Sequence, residues 1–171
     1  LDLLNNTIES NDIIDDKCHA TLIICPNRLC YQWLDEIHKY VKDNIDLNII
    51  LITTITQYNK LTKKDLYNAD IVILSFTFMI NERYFIKKET GLCLDKINWY
   101  RIIIDEGHEL LINQIFSKKK YREMQSEIYK YNSKYKWICT GTPLGNNSRS
   151  FDGILKFLSD DYDYHQHLNF I

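Results

Sequence analysis

The sequence is poor in the residues that mark several protein classes. Of its 171 residues only five are Gly and two Pro, which excludes collagen-like, Pro-rich and Gly-rich linker architectures. The glycines stand at 91, 107, 141, 145 and 153, and none is followed by Lys. The chain therefore carries no G-x-x-x-x-G-K-[ST] phosphate loop. Its five cysteines, Cys18, Cys25, Cys30, Cys93 and Cys139, form no C-x-x-C pair and are odd in number, so neither a zinc module nor a closed disulfide framework is supported. Cys25 and Cys139 lie within apolar runs, where a reduced thiol behaves as a small core hydrophobe. A reducing, intracellular compartment is the expectation. Apolar runs last only a few residues before Asp, Asn or Lys intervenes, far short of the roughly 20 that a membrane-spanning helix needs. Leu1-Asp2-Leu3-Leu4-Asn5-Asn6 has neither a basic stretch nor a continuous apolar one, so it reads as the interior of a longer chain rather than a secretory signal. Net charge is −2, and without a global basic field any nucleic acid would have to be met by a local surface.

What is present is a globular composition, 45% hydrophobic and 26% charged, in a chain long enough to bury roughly 70% of its unfolded surface. No linker or repeat divides it, and residues 1–171 read as a single domain. Thr21 to Cys25 is a β-branched apolar run ending at Pro26, and Leu29, Trp33, Ile37 and Tyr40 follow at helical spacing. Further strands are predicted over Leu47 to Ile52, Asp70 to Ser75, Trp99 to Ile104 and, as a last buried strand, Tyr135 to Thr140. Gln57 to Asn68 reads as a polar stretch and Asn81 to Lys96 as a loop with a short helix. A long polar helical region covers about Glu109 to Tyr131. Phe151, Ile154, Leu155 and Leu158 mark a final amphipathic helix. Continuous apolar strands alternating with helices predict an α/β fold with an open, mainly parallel, doubly wound sheet. Ligands of such sheets bind beyond the carboxyl ends of the strands.

Those ends carry the candidate chemistry. Asp105-Glu106 leaves a strand as adjacent carboxylates pointing different ways, one suited to hold Mg²⁺ and the other to orient and deprotonate a water. The same pair would also serve as a helix cap. His108 reads equally as a structural, hydrogen-bonded residue. Thr140-Gly141-Thr142-Pro143 would suit a turn. Pro26-Asn27-Arg28 offers an anion site at a helix start or an ordinary start with Pro in its first turn, and Ser75-Phe76-Thr77 fits an N-cap as readily as a contact. Lys63-Lys64, Lys87-Lys88 and Lys118-Lys119-Lys120 read as solvated faces, and Trp33 as packing.

Taken in order, these signals resemble the first RecA-like lobe of superfamily 2 helicases, specifically the SNF2 class of double-stranded DNA translocases. Thr21-Leu22-Ile23-Ile24-Cys25-Pro26 with Gln32-Trp33 and Glu36-Ile37 is similar to that class's motif Ia, and Asp70 to Phe76 to motif Ib. Trp99 to His108, with its D-E-G-H, is similar to motif II, and Lys136 to Asn146, with its T-G-T-P, to motif III. Gly145 departs from the Gln usual there. Gly107 between Glu106 and His108, with Trp99 and Arg101 ahead, looks most like the RING-bearing DNA-repair translocases.

The resemblance implies ATP and Mg²⁺ as cofactors, with Asp105 on the metal, Glu106 activating water and His108 linking the nucleotide site to motif III. Asp105, Glu106, Thr140, Gly141 and Thr142 would line the nucleotide site. Pro26, Asn27, Arg28, Ser75, Phe76 and Thr77 would lie along the DNA backbone, contacts insensitive to sequence. It further implies a phosphate loop with its strand before Leu1, a second RecA-like lobe after Ile171, no membrane, and work in the nucleus or a viral replication compartment. The chain alone would then be inactive, its sheet interrupted where the phosphate-loop strand belongs. Two other readings stay open: a non-catalytic, helicase-derived binding or scaffolding module, and an unrelated α/β hydrolase or nuclease using Asp105 and Glu106 with metal.

Overall fold

The computed structural model describes residues 18–42, 44–88, 91–111, 118–141 and 152–159. Five strands, β1 (Thr21–Cys25), β2 (Ile49–Ile52), β3 (Ile71–Ser75), β4 (Asn98–Ile104) and β5 (Asn132–Ile138), form one parallel sheet in the order β2-β3-β1-β4-β5. Alternation along each strand separates two apolar layers. Leu22, Ile24, Val72, Leu74, Ile102 and Ile104 enter the larger core, and Ile23, Cys25 and Ile73 the smaller one. Burial on both faces is why β1 and β3 read as unbroken apolar runs.

The smaller layer is closed by α1 (Asn27–Tyr40), through Leu29, Trp33, Leu34 and Ile37. Tyr40, the expected last member of that stripe, is exposed. The polar stretch after β2 contains two short helices, α2 (Ile55–Tyr58) and α3 (Lys63–Tyr67), each begun by a reciprocal capping box, Thr54 with Gln57 and Thr62 with Asp65. After β3 come α4 (Phe76–Met79) and α5 (Glu82–Lys88), and a single 3₁₀ turn, Leu94–Lys96, precedes β4. The long helical region is present as α6 (Gly107–Leu111) and α7 (Lys118–Ile128), with residues 112–117 outside the described set. In α8 (Asp152–Leu158), Ile154 and Phe157 are buried while Leu158 is exposed. Phe151 lies outside the described residues.

β5 differs from expectation. It spans Asn132–Ile138 rather than Tyr135 to Thr140, and it is not buried: Tyr135 is 41% and Trp137 58% exposed. Among the described strands it has one neighbour, β4, and the smaller apolar layer under α1 does not reach its side chains. Cys139, just beyond, is exposed rather than a core residue. The five strands are also continuous, each bonded to the next. No gap divides them, and the place open to a further strand is an outer edge.

Candidate functional site

The site is built where β4 leaves the sheet. The Asp105 N–H donates to Ile24 O at 2.9 Å, the Cys139 N–H to Ile104 O at 2.8 Å and the Gly107 N–H to Cys139 O at 3.0 Å, so the acidic turn is pinned between the ends of β1 and β5. Glu106 occupies the left-handed region, with φ 51°. A non-glycine residue pays about 1 kcal/mol there, and such strain concentrates at functional turns. The helix that follows starts at Gly107, where a Cβ would come within 2.5 Å of the Ile138 side chain. Close packing of α6 on β5 is thus what requires glycine between Glu106 and His108.

Each polar side chain of the turn has a partner. Asp105 Oδ1 accepts the Glu106 N–H at 2.9 Å, and its Oδ2 accepts the indole N–H of Trp33 at 2.8 Å. His108 Nδ1 lies 3.2 Å from Glu106 Oε2 and 2.9 Å from Thr140 Oγ1, so one ring nitrogen links the acidic turn to the segment after β5. Glu109, almost buried, receives both arms of the Arg28 guanidinium, one of them at 3.2 Å. Glu109, with Glu106 and Asp105 nearby, raises the Arg28 pKa above its ordinary value. The Cys25 thiol is likewise pushed up, first by its hydrogen bond with Cys30, then by burial and the negative charge of Asp105. Partial desolvation and the same carboxylate raise the Cys139 thiol.

A cavity of about 340 Å³ opens beside the turn, lined by Leu29, Gln32, Trp33, Glu36, Asp105 and Glu106. Trp33 therefore both packs and hydrogen bonds. The sequence hinted at this in Gln32-Trp33 and Glu36, about one helical turn apart on one side of α1, whereas the Arg28–Glu109 pair, 81 residues apart, left no local signal. Among the described residues no group of three or more His, Cys, Asp or Glu side chains could hold a metal. A pair of hard carboxylate oxygens on a cavity wall does fit Mg²⁺, which is commonly held by one or two carboxylates together with substrate phosphates.

The nucleic-acid candidates divide. Asn27, Arg28 and Thr77 are exposed on one rim, and the Thr77 hydroxyl donates to Asn27 Oδ1 at 2.7 Å, joining the ends of β1 and β3. Pro26, Ser75 and Phe76 are buried. Pro26 precedes the first turn of α1, the Ser75 hydroxyl caps α4 by accepting the Phe78 N–H at 3.2 Å, and Phe76 fills the larger core. These three side chains are turned into the protein. Of the residues expected to line a nucleotide site, Thr140 reaches His108 and Gly141 is exposed with nothing crowding it. Thr142, Pro143, Gly145 and Asn146 lie outside the described residues.

A five-stranded parallel sheet with an acidic turn, a flanking histidine and a threonine at neighbouring strand ends defines a RecA-like α/β lobe. The Sulfolobus solfataricus SWI2/SNF2 ATPase core in complex with dsDNA shares this fold, with a TM-score of 0.62 over 86% of this chain and 26% of its own, at 20% identity. The chain belongs to the SNF2-related domain family, whose sequence model matches residues 2–168. Similar proteins include the mouse helicase-like transcription factor, 28% identical over 84% of this chain. The DNA repair protein RAD5 of Candida glabrata is 28% identical over 90%, and the ISWI chromatin-remodeling complex ATPase ISW1 of Saccharomyces cerevisiae 31% identical over 82%. The chain spans only 13%, 14% and 11% of those three proteins. No helix among the described residues is long and apolar enough to cross a membrane.

Proposed function

We propose that this chain is the part of the first lobe of an ATP-dependent double-stranded DNA translocase of the SNF2 class that carries the metal-binding and water-activating carboxylates, acting in the nucleus. In this reading Asp105 holds Mg²⁺, which supplies charge neutralisation to the transferred phosphoryl group. Glu106 orients the attacking water and accepts its proton. His108 senses the turn on one side and Thr140 on the other, so a change at Glu106 is felt after β5. Asn27, Arg28 and Thr77 meet phosphates of one strand, reading charge and shape but no bases. The phosphate-binding Lys and the second lobe with its arginine come from other sequence, since no Gly-Lys pair occurs here. Similarity to the DNA repair protein RAD5 favours the repair-type subgroup.

The observation that carries the reading is the chain of contacts Glu106–His108–Thr140, which joins the acidic turn, itself on the cavity wall, to the neighbouring strand end. Retention of both Asp105 and Glu106 counts against a scaffold, which has no need of them. In the full-length protein, Glu106→Gln should lower DNA-stimulated phosphate release by about 10² or more, the scale of losing a positioned base, while ATP binding persists. The 171-residue chain alone should release no phosphate above background. Unchanged turnover in the Gln variant, or Glu106-dependent turnover by the chain alone, would refute this assignment.

A further inference from the structure

Asp105 is held at two points of different character. The bond from the Glu106 N–H to Oδ1 is local, and an Asp in such a turn makes it whatever surrounds it. The bond to Oδ2 comes from Trp33, on α1 and 72 residues away in sequence. An indole N–H is a donor only, cannot ionise at any working pH, and moves only with its ring. That ring is half-buried, packed against the cluster of Ile23, Cys25, Cys30 and Ile73 in the smaller apolar layer, so the donor is fixed by packing rather than by solvent. Trp33 and Asp105 also share the wall of the 340 Å³ cavity with Glu106. A carboxylate has about four lone-pair sites. With one on each oxygen occupied by these two donors, further sites remain for a ligand in the cavity.

We infer that Trp33 is a positioning residue of the acidic turn, its indole N–H fixing the plane of the Asp105 carboxylate for metal–nucleotide binding. The inference rests on the reading of Asp105 as the metal carboxylate and adds a residue whose packing role alone was expected. Hydrogen-bond partners of metal-binding carboxylates typically govern affinity by about 10- to 100-fold, and the precision of such sites depends on supporting groups that packing has locked.

The test uses the full-length protein with Mn²⁺ as the probe, its binding followed by water-proton relaxation in the presence of a non-hydrolysable ATP analogue. Wild type is compared with Asp105→Asn, Trp33→Phe and a protein carrying benzothienylalanine at position 33, which keeps the bicyclic shape but has no N–H. The last variant guards against a packing defect in the Phe protein. Both position-33 variants should weaken Mn²⁺ binding by about 10-fold or more, with the analogue still bound at saturating Mn²⁺. Weakening by Asp105→Asn but wild-type affinity in the benzothienylalanine protein would overturn the role of Trp33 and leave Asp105 as the metal carboxylate. Wild-type affinity in Asp105→Asn would overturn both.

Discussion

At the scale of single residues, the acidic turn shows how little freedom its four positions have. Asp105 is bonded through both oxygens, Glu106 is held at positive φ, and His108 bridges two partners. Gly107 is the position where sterics alone decide. An added Cβ would sit 2.5 Å from Ile138 Cγ2, a contact that must be relieved by moving β5 or the turn. Gly107→Ala should therefore destabilise the domain by about 2 kcal/mol, the range of overpacking, despite the better helix propensity of Ala. Ile138→Ala removes the obstructing methyl and should cost less in the Gly107→Ala background than in wild type. Urea unfolding of the four proteins in a double-mutant cycle measures the coupling, and additive effects would show that the two sites do not collide.

At the scale of elements, α1 is what ties the rim to the acidic turn. Its first turn carries Arg28, paired with Glu109 of α6, and its second carries Trp33, bonded to Asp105. Glu109 is almost buried and Arg28 more than half exposed, so the two ends of the pair are unequal. Removing Arg28 strands a buried carboxylate, whereas removing both leaves no uncompensated charge. Arg28→Met alone should cost about 2 kcal/mol, and adding Glu109→Leu should recover most of it, as read by thermal unfolding of the single and double variants. Failure of the second change to recover stability would mean that Glu109 is satisfied without Arg28. What the sequence revealed of such elements depended on range. The capping boxes Thr54-x-x-Gln57 and Thr62-x-x-Asp65 were written in local spacing, yet the polar composition around them concealed two helices. Asp105-Glu106 was legible because a buried strand stops there. Burial of Ser75 and Phe76 was not, because a strand end fixes where the backbone leaves the sheet and not which side chains turn inward.

At the scale of the whole molecule, the strand pattern was legible where both faces are covered and misleading where they are not. β1 and β3 are unbroken apolar runs, whereas in β5, Asn-Ser-Lys-Tyr-Lys-Trp-Ile, the aromatic residues Tyr135 and Trp137 are exposed, so large apolar side chains there do not report burial. The larger core holds a different kind of cluster. Tyr58 of α2, Phe78 of α4 and Tyr84 of α5 pack with ring centroids 5.0 to 5.4 Å apart, and Tyr131, after α7, is buried beside Tyr84. Burial, with Cys93 and Asp95 nearby, raises Tyr58 to about 12, and burial raises Tyr84 and Tyr131 further. Because these phenols keep their protons in the folded state, the unfolded chain ionises first, near the ordinary value of 10.0. The contribution of the phenols to stability is thus whole below about pH 10 and is lost as pH rises toward 12 and beyond, with the raised thiol of Cys18 adding to the loss from about pH 9. Urea midpoints measured from about pH 8.5 to 11.5 should fall steadily on the alkaline side. Tyr58→Phe should lower the midpoint at pH 8.5, since the Tyr58 hydroxyl donates to Leu92 O, and should make the alkaline slope shallower. Parallel slopes for wild type and Tyr58→Phe would show that this phenol ionises as freely in the folded protein as in the unfolded chain, and that the aromatic cluster does not set the alkaline limit.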